Sequence, residues 1–169
     1  MDLSNHTLGE TEGNIELQTA EDAHQAALAL FSQARREIFI ASYDLEAPIL
    51  DHEDVLDALS VFARGHRSSE VRVLLQTPDK ALRHGHRLVN LAQRLSSHVH
   101  IHKPAEEHRG LIEAFIVVDG IGYIKRPLAD RYEGLASFKA PIEGRDMRAQ
   151  FNSLWERSEP EIQFRRMQI

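Results

Sequence analysis

The sequence predicts one α/β domain, an α-β-α sandwich with a mixed, mainly parallel sheet and helices on both faces. Two observations predict it: short apolar runs rich in β-branched and aromatic residues recur along the chain, and amphipathic segments at helical spacing separate them. A third is that no repeat, low-complexity tract or linker divides the 169 residues, a length that suits one hydrophobic core.

Taken in order, residues 1–14 are polar with two glycines and read as a flexible N-terminal arm, leaving 15–169 as the domain. Ile15-Glu16-Leu17-Gln18 is the first strand. Thr19-Ala20-Glu21-Asp22 has the form of a capping box, and Ala23, Ala26, Ala27, Leu30, Phe31 and Ala34 then recur on one helical stripe. Glu37 to Tyr43 is a nearly continuous apolar run, as a central strand covered on both faces requires. A helix from about Glu53 to Arg64 buries Val55, Ala58, Leu59 and Phe62, with Gly65 as a left-handed C-cap, and Val71 to Leu75 is the next strand. Thr77-Pro78 opens a helix with Leu88, Leu91, Ala92 and Leu95 on one stripe and Gly85 as a kink, followed by strand Val99 to His102. Ala114 to Gly120 is a strand ending in a turn, and Ile121 to Lys125 returns beside it as a hairpin. A short strand at Leu135 to Phe138 and a helix defined by Met147, Phe151, Leu154 and Trp155 complete the domain. The tail Gln163 to Ile169 is apolar enough at Phe164, Met167 and Ile169 to dock on the body or on a partner.

Composition narrows the function classes. A net charge of −6 gives no general footprint for nucleic acid, and the absence of cysteine excludes disulfides, thiolate catalysis and cysteine-ligated zinc. No apolar stretch reaches the roughly 20 residues of a membrane span, and Met1 to His6 lacks the layout of a secretory signal, so a cytoplasmic location is expected. Neither a nucleophile elbow nor a phosphate-binding glycine loop occurs. His98, His100 and His102 alternate on one strand face, but side chains two apart lie nearly ~7 Å from each other, too far to share an ion. His84 and His86, on either side of Gly85, have the same difficulty. No metal or cofactor is expected.

The order of elements resembles one half of a phospholipase D-like protein over about residues 15–157. Ile38 to Leu45 is similar to that family's second strand, and Val55 to Gly65 with Val71 to Leu75 is similar to its next helix and strand. Phe115-Ile116-Val117-Val118-Asp119-Gly120 is similar to the strand carrying the signature H-x-K-x-x-x-x-D, and Phe151 to Trp155 matches the closing aromatic helix. Anchoring the signature on Asp119 puts Ile112 at the histidine position and Ala114 at the lysine position. In the family the histidine attacks phosphorus and the lysine neutralises phosphoryl charge, chemistry that Ile and Ala do not have. The resemblance therefore implies a degenerate member without catalytic residues, and pairing into a homodimer.

The candidate cleft follows the central strand, where α/β proteins usually place their sites: Ser42, Tyr43, Asp44 and Glu46, with Asp119, Arg126, Asp130 and Arg131 as further walls. The two arginines beside carboxylates read either as a holder for a small anionic ligand or as internal locks for the loop from Pro127 to Gly134. Three functional readings stay open: a non-catalytic module binding a ligand or a protein, an enzyme of altered chemistry using Tyr43, Asp44, Asp119, Arg126 and Arg131, and a nucleic-acid-binding relic. The first is preferred.

Overall fold

In the computed structural model, which describes residues 1–110 and 112–165, the capping box at Thr19 opens α1 (Ala20–Gln33). The Thr19 hydroxyl accepts the Asp22 N–H at 3.1 Å, and the Asp22 carboxylate accepts the Thr19 N–H at 3.2 Å. Before it, β1 (Asn14–Leu17) starts one residue earlier than expected. Residues 1–13, expected to be a flexible arm, lie against the domain. The Leu8 N–H donates to Gln33 Oε1 at 2.8 Å and the Gly9 N–H to the Phe138 carbonyl at 2.7 Å. Leu3 and Leu8 pack on the core and supply the apolar anchors that an otherwise polar segment concealed.

After α1 come β2 (Glu37–Ser42), a single turn α2 (Ala47–Leu50), α3 (Glu53–Gly65) and β3 (Glu70–Leu75). Gly65 closes α3 from inside the helix and an extended His66 caps it, so the left-handed cap expected at Gly65 is not used. The helix expected beyond Pro78 is two helices, α4 (Asp79–His84) and α5 (Arg87–Arg94), parted by Gly85 at φ 73°. The chain continues through β4 (Val99–Lys103), a 3₁₀ turn (Glu106–His108), β5 (Ala114–Val118), β6 (Gly122–Arg126), β7 (Gly134–Ser137), α6 (Pro141–Glu156), β8 (Glu159–Pro160) and α7 (Ile162–Arg165).

The strands form one mixed sheet in the order β1-β7-β6-β5-β2-β3-β4-β8. The sandwich is the expected one, but its sheet is not mainly parallel. Of the seven strand pairings, β2 with β3 and β3 with β4 are parallel and the other five are antiparallel. Parallel neighbours need a long crossover, which α3 and α5 supply. No helix intervenes among β5, β6 and β7, so short connections force them antiparallel.

Side-chain alternation divides the sheet between two cores. Ile38, Ile40, Val71, Val73, Ile116, Val118 and Ile124 face α1, α3 and α5, while Phe39, Ala41, Leu74, Phe115, Val117 and Tyr123 face α6. The β5–β6 turn carries two left-handed residues, Asp119 at φ 54° and Gly120 at φ 66°, closed by the Ile121 N–H donating to Val118 at 3.1 Å. α6 sits directly on this turn, because Gly144 has no Cβ to collide with the Gly120 carbonyl. At the far end Phe164 is buried and its carbonyl accepts the Gln93 amide at 2.7 Å, the docking expected of the tail; Met167 and Ile169 lie outside the described residues. Among the described residues no helix is long and apolar enough to cross a membrane.

Candidate functional site

β2 pairs with β3 along its whole length and with β5 from Ile38 to Ala41, and the chain leaves the sheet after Ser42. The turn that results is strained: Leu45 (φ 72°) and Glu46 (φ 27°) are consecutive non-glycine residues with positive φ. Several contacts impose that backbone. Leu45 is fully buried, its N–H donates to Ser42 Oγ at 2.8 Å, and its carbonyl accepts His86 Nε2–H at 3.2 Å. Glu46 N–H donates to Asp44 Oδ1 at 2.9 Å.

The strained turn points Glu46 inward, where its Oε1 meets the Arg126 guanidinium at 2.5 Å and its Oε2 takes a hydrogen bond from the Ser42 hydroxyl. Glu46 and Arg126 are only 7% and 4% exposed, so this is a buried ion pair. Burial pushes the Glu46 carboxyl above the usual carboxylate range, against the pull of Arg126 and Ser42. Arg126 also donates to the carbonyls of Ala129 at 3.2 Å and Arg131 at 2.6 Å, and so pins the loop after β6. In this arrangement Arg126 is engaged internally, by one carboxylate and two carbonyls. Arg126 is the direct cross-strand partner of Ala114. The two side chains line, with Glu46, a small cavity of about 20 Å³ whose walls hold no histidine or lysine among the described residues.

Outside Glu46 lies an open cleft of about 490 Å³ lined by Tyr43, Asp44, Asp51, Lys80, His84, His86, Asp130 and Tyr132 among others. Lys80 pairs with Asp44 at 3.3 Å, and Arg87 with Asp51 at 3.1 Å. Both nitrogens of His86 are committed: Nε2 to the Leu45 carbonyl, and Nδ1 as the acceptor of the Leu88 N–H at 3.0 Å, where it caps α5. Burial, the largest influence, lowers its pKa, and the single ring proton is consistent with a neutral imidazole. His84 is exposed and has no hydrogen-bond partner among the described residues that would orient it.

Ser42, Tyr43, Asp44, Glu46, Arg126 and Asp130 lie together at one end of β2. Asp119 does not join them. β5 runs antiparallel to β2, so Asp119 lies beside Glu37 at the opposite end. There its carboxylate accepts the backbone N–H groups of Arg35, Arg36 and Glu37 at 2.9, 2.8 and 3.0 Å. Arg131 reaches the cluster through its carbonyl and lines neither cavity. The arrangement that an enzyme of altered chemistry would have needed, with Tyr43, Asp119, Arg126 and Arg131 converging on one open cleft, is not formed. His86, Lys80 and Tyr132 were not legible as cleft residues; the only sequence signal was the Gly85 break that turns His86 inward.

The sandwich and its mixed sheet have a phospholipase D-like fold. Among solved structures, the chain is similar to the phospholipase D family member Nuc from Salmonella typhimurium (TM-score 0.64, 12% identity, 89% of this chain and 98% of that one). It is similar also to NucT from Helicobacter pylori (TM-score 0.62, 14% identity, 89% and 99%). A third likeness is to TrmBL2, an archaeal chromatin protein described with a novel mode of DNA binding (TM-score 0.64, 15% identity), of which 90% of this chain spans only 54%. At these identities the likeness is one of fold. Comparison with curated protein sequences gives no match. The chain belongs to the family DUF7931, a domain of unknown function, whose model matches residues 19–167.

Proposed function

We propose that this phospholipase D-like domain works by binding a ligand or a partner protein and does not cleave phosphodiesters. The observation that carries the reading is the buried Glu46–Arg126 pair beside Ala114. On the register anchored by Asp119, Ala114 is where the family's lysine would stand, and Ile112, at the histidine position, is 67% exposed and aliphatic. A guanidinium already satisfied by a carboxylate and two carbonyls offers no free charge to a transition state. The histidines of the open cleft do not replace the missing nucleophile, since His86 has both nitrogens engaged and His84 has nothing to orient it. The half-exposed Tyr43 lines the cleft and gives it an apolar contact that a binding surface uses. The net charge of −6 speaks against a nucleic-acid backbone as the partner.

The test is hydrolysis of bis(p-nitrophenyl) phosphate across the neutral pH range. The expected rate is that of the protein-free blank, for wild type and for His84→Ala alike. Turnover by the wild type that His84→Ala abolishes would overturn the reading.

A further inference from the structure

Among the described residues, Glu46 alone lines both the small cavity of about 20 Å³ and the open cleft of about 490 Å³. It forms the wall between them. Behind that wall two donors converge on its carboxylate: the Arg126 guanidinium on one oxygen and the Ser42 hydroxyl on the other. Neither donor depends on Glu46 for its place. Arg126 is also held by the carbonyls of Ala129 and Arg131, and Ser42 Oγ by the Leu45 N–H. The wall itself is held under strain, since Leu45 and Glu46 occupy a region that L-residues rarely adopt.

We propose that Glu46 is a stopper occupying a latent oxyanion site, formed by Arg126 and the Ser42 hydroxyl, which a small oxyanion, phosphoryl or carboxylate, occupies when Glu46 swings into the cleft. This deepens the binding reading above and rests on it. The shape of the occupied site is that of a carboxylate between a guanidinium and a hydroxyl, arrangements that also serve a phosphoryl group. The volume vacated by the Glu46 side chain adds to the small cavity behind it. At the entrance Lys80 and Arg87 neutralise two of the three aspartates, Asp44 and Asp51, leaving Asp130.

The experiment compares thermal unfolding of wild type, Glu46→Ala and the double variant Glu46→Ala/Arg126→Met in inorganic phosphate, in acetate and in chloride at matched ionic strength. Glu46→Ala should gain at least about 3 °C in an oxyanion over chloride, while wild type and the double variant show only the smaller general salt effect. A gain with acetate alone assigns a carboxylate ligand, and a gain with phosphate a phosphoryl one. If Glu46→Ala folds only when the oxyanion is added, recovery of its far-ultraviolet circular dichroism counts as the same gain. Glu46→Gln, which keeps the shape and loses the charge, guards against a variant that does not fold. Equal shifts in all three proteins, or no oxyanion-dependent gain in either Glu46→Ala or Glu46→Gln, would overturn the proposal. Neither result depends on phosphodiester hydrolysis, so this idea and the non-catalytic reading fail separately.

Discussion

The two ends of β2 each carry a carboxylate in a positive-φ turn, yet they solve opposite problems. At the N-terminal end Asp119 accepts three backbone N–H groups and ties the β5–β6 turn to the entry of β2, while Arg148 and Glu37 pair beside it, partly in solvent. The donors to Asp119 are backbone N–H groups around the start of β2, and the ion pair beside them lies partly at the surface. At the C-terminal end Glu46 is driven inside, against Arg126 from a strand 80 residues further along the chain. A carboxylate that accepts from backbone builds a fold. One that is buried against a guanidinium and a hydroxyl in a strained turn is expensive to keep.

The largest break in this comparison should come from the buried end. Arg126→Met leaves Glu46 buried without its cation and frees the loop from Ala129 to Arg131, at a cost of about 3–5 kcal/mol. In a chain of this length that lowers the melting temperature by on the order of 10 °C. Asp119→Asn, which tolerates the left-handed backbone but turns one acceptor into a donor facing an N–H, should cost less, about 2 kcal/mol. Chemical denaturation of both variants ranks them, and an Asp119→Asn loss exceeding that of Arg126→Met would reverse the reading of the two ends.

The difference also explains what the sequence disclosed. The Asp119 turn was legible, because an Asp-Gly pair between two apolar runs specifies a hairpin from local chemistry alone. So were β2, the Thr19 cap and the stripe of α1, whose residues declare themselves within a few positions of one another. Glu46 and Arg126 were each legible as cleft residues, but their pairing was not, because nothing in the local pattern links positions 80 apart. The excess of antiparallel pairs escaped for a related reason: strand alternation shows which residues are covered, not which edge a returning strand joins. Asp119 was misplaced into the cleft because the direction of β5 relative to β2 decides which end it occupies, and direction is a property of the sheet.

The smallest effect sharpens the comparison from the side of the strained turn. His86 holds the Leu45 carbonyl as a neutral imidazole, and burial lowers its pKa below the ordinary 6.5. Below about pH 6.5 the unfolded chain takes up a proton that the folded protein resists, so stability falls as pH drops from that value to the depressed folded one. Beneath both values the loss is complete, and above both it vanishes. His86→Asn keeps a side-chain acceptor for the Leu88 N–H at the start of α5 and removes the titration. Its stability at pH 7.5 should be lower than wild type by about 1 kcal/mol, for the lost bond to Leu45, but the gap should narrow on acidification as the wild type pays for charging His86. Urea unfolding at several pH values measures the gap directly. A constant gap would mean that His86 does not hold the turn as a buried neutral group, and the strain at Leu45 and Glu46 would then have to be carried by Ser42 and Arg126 alone.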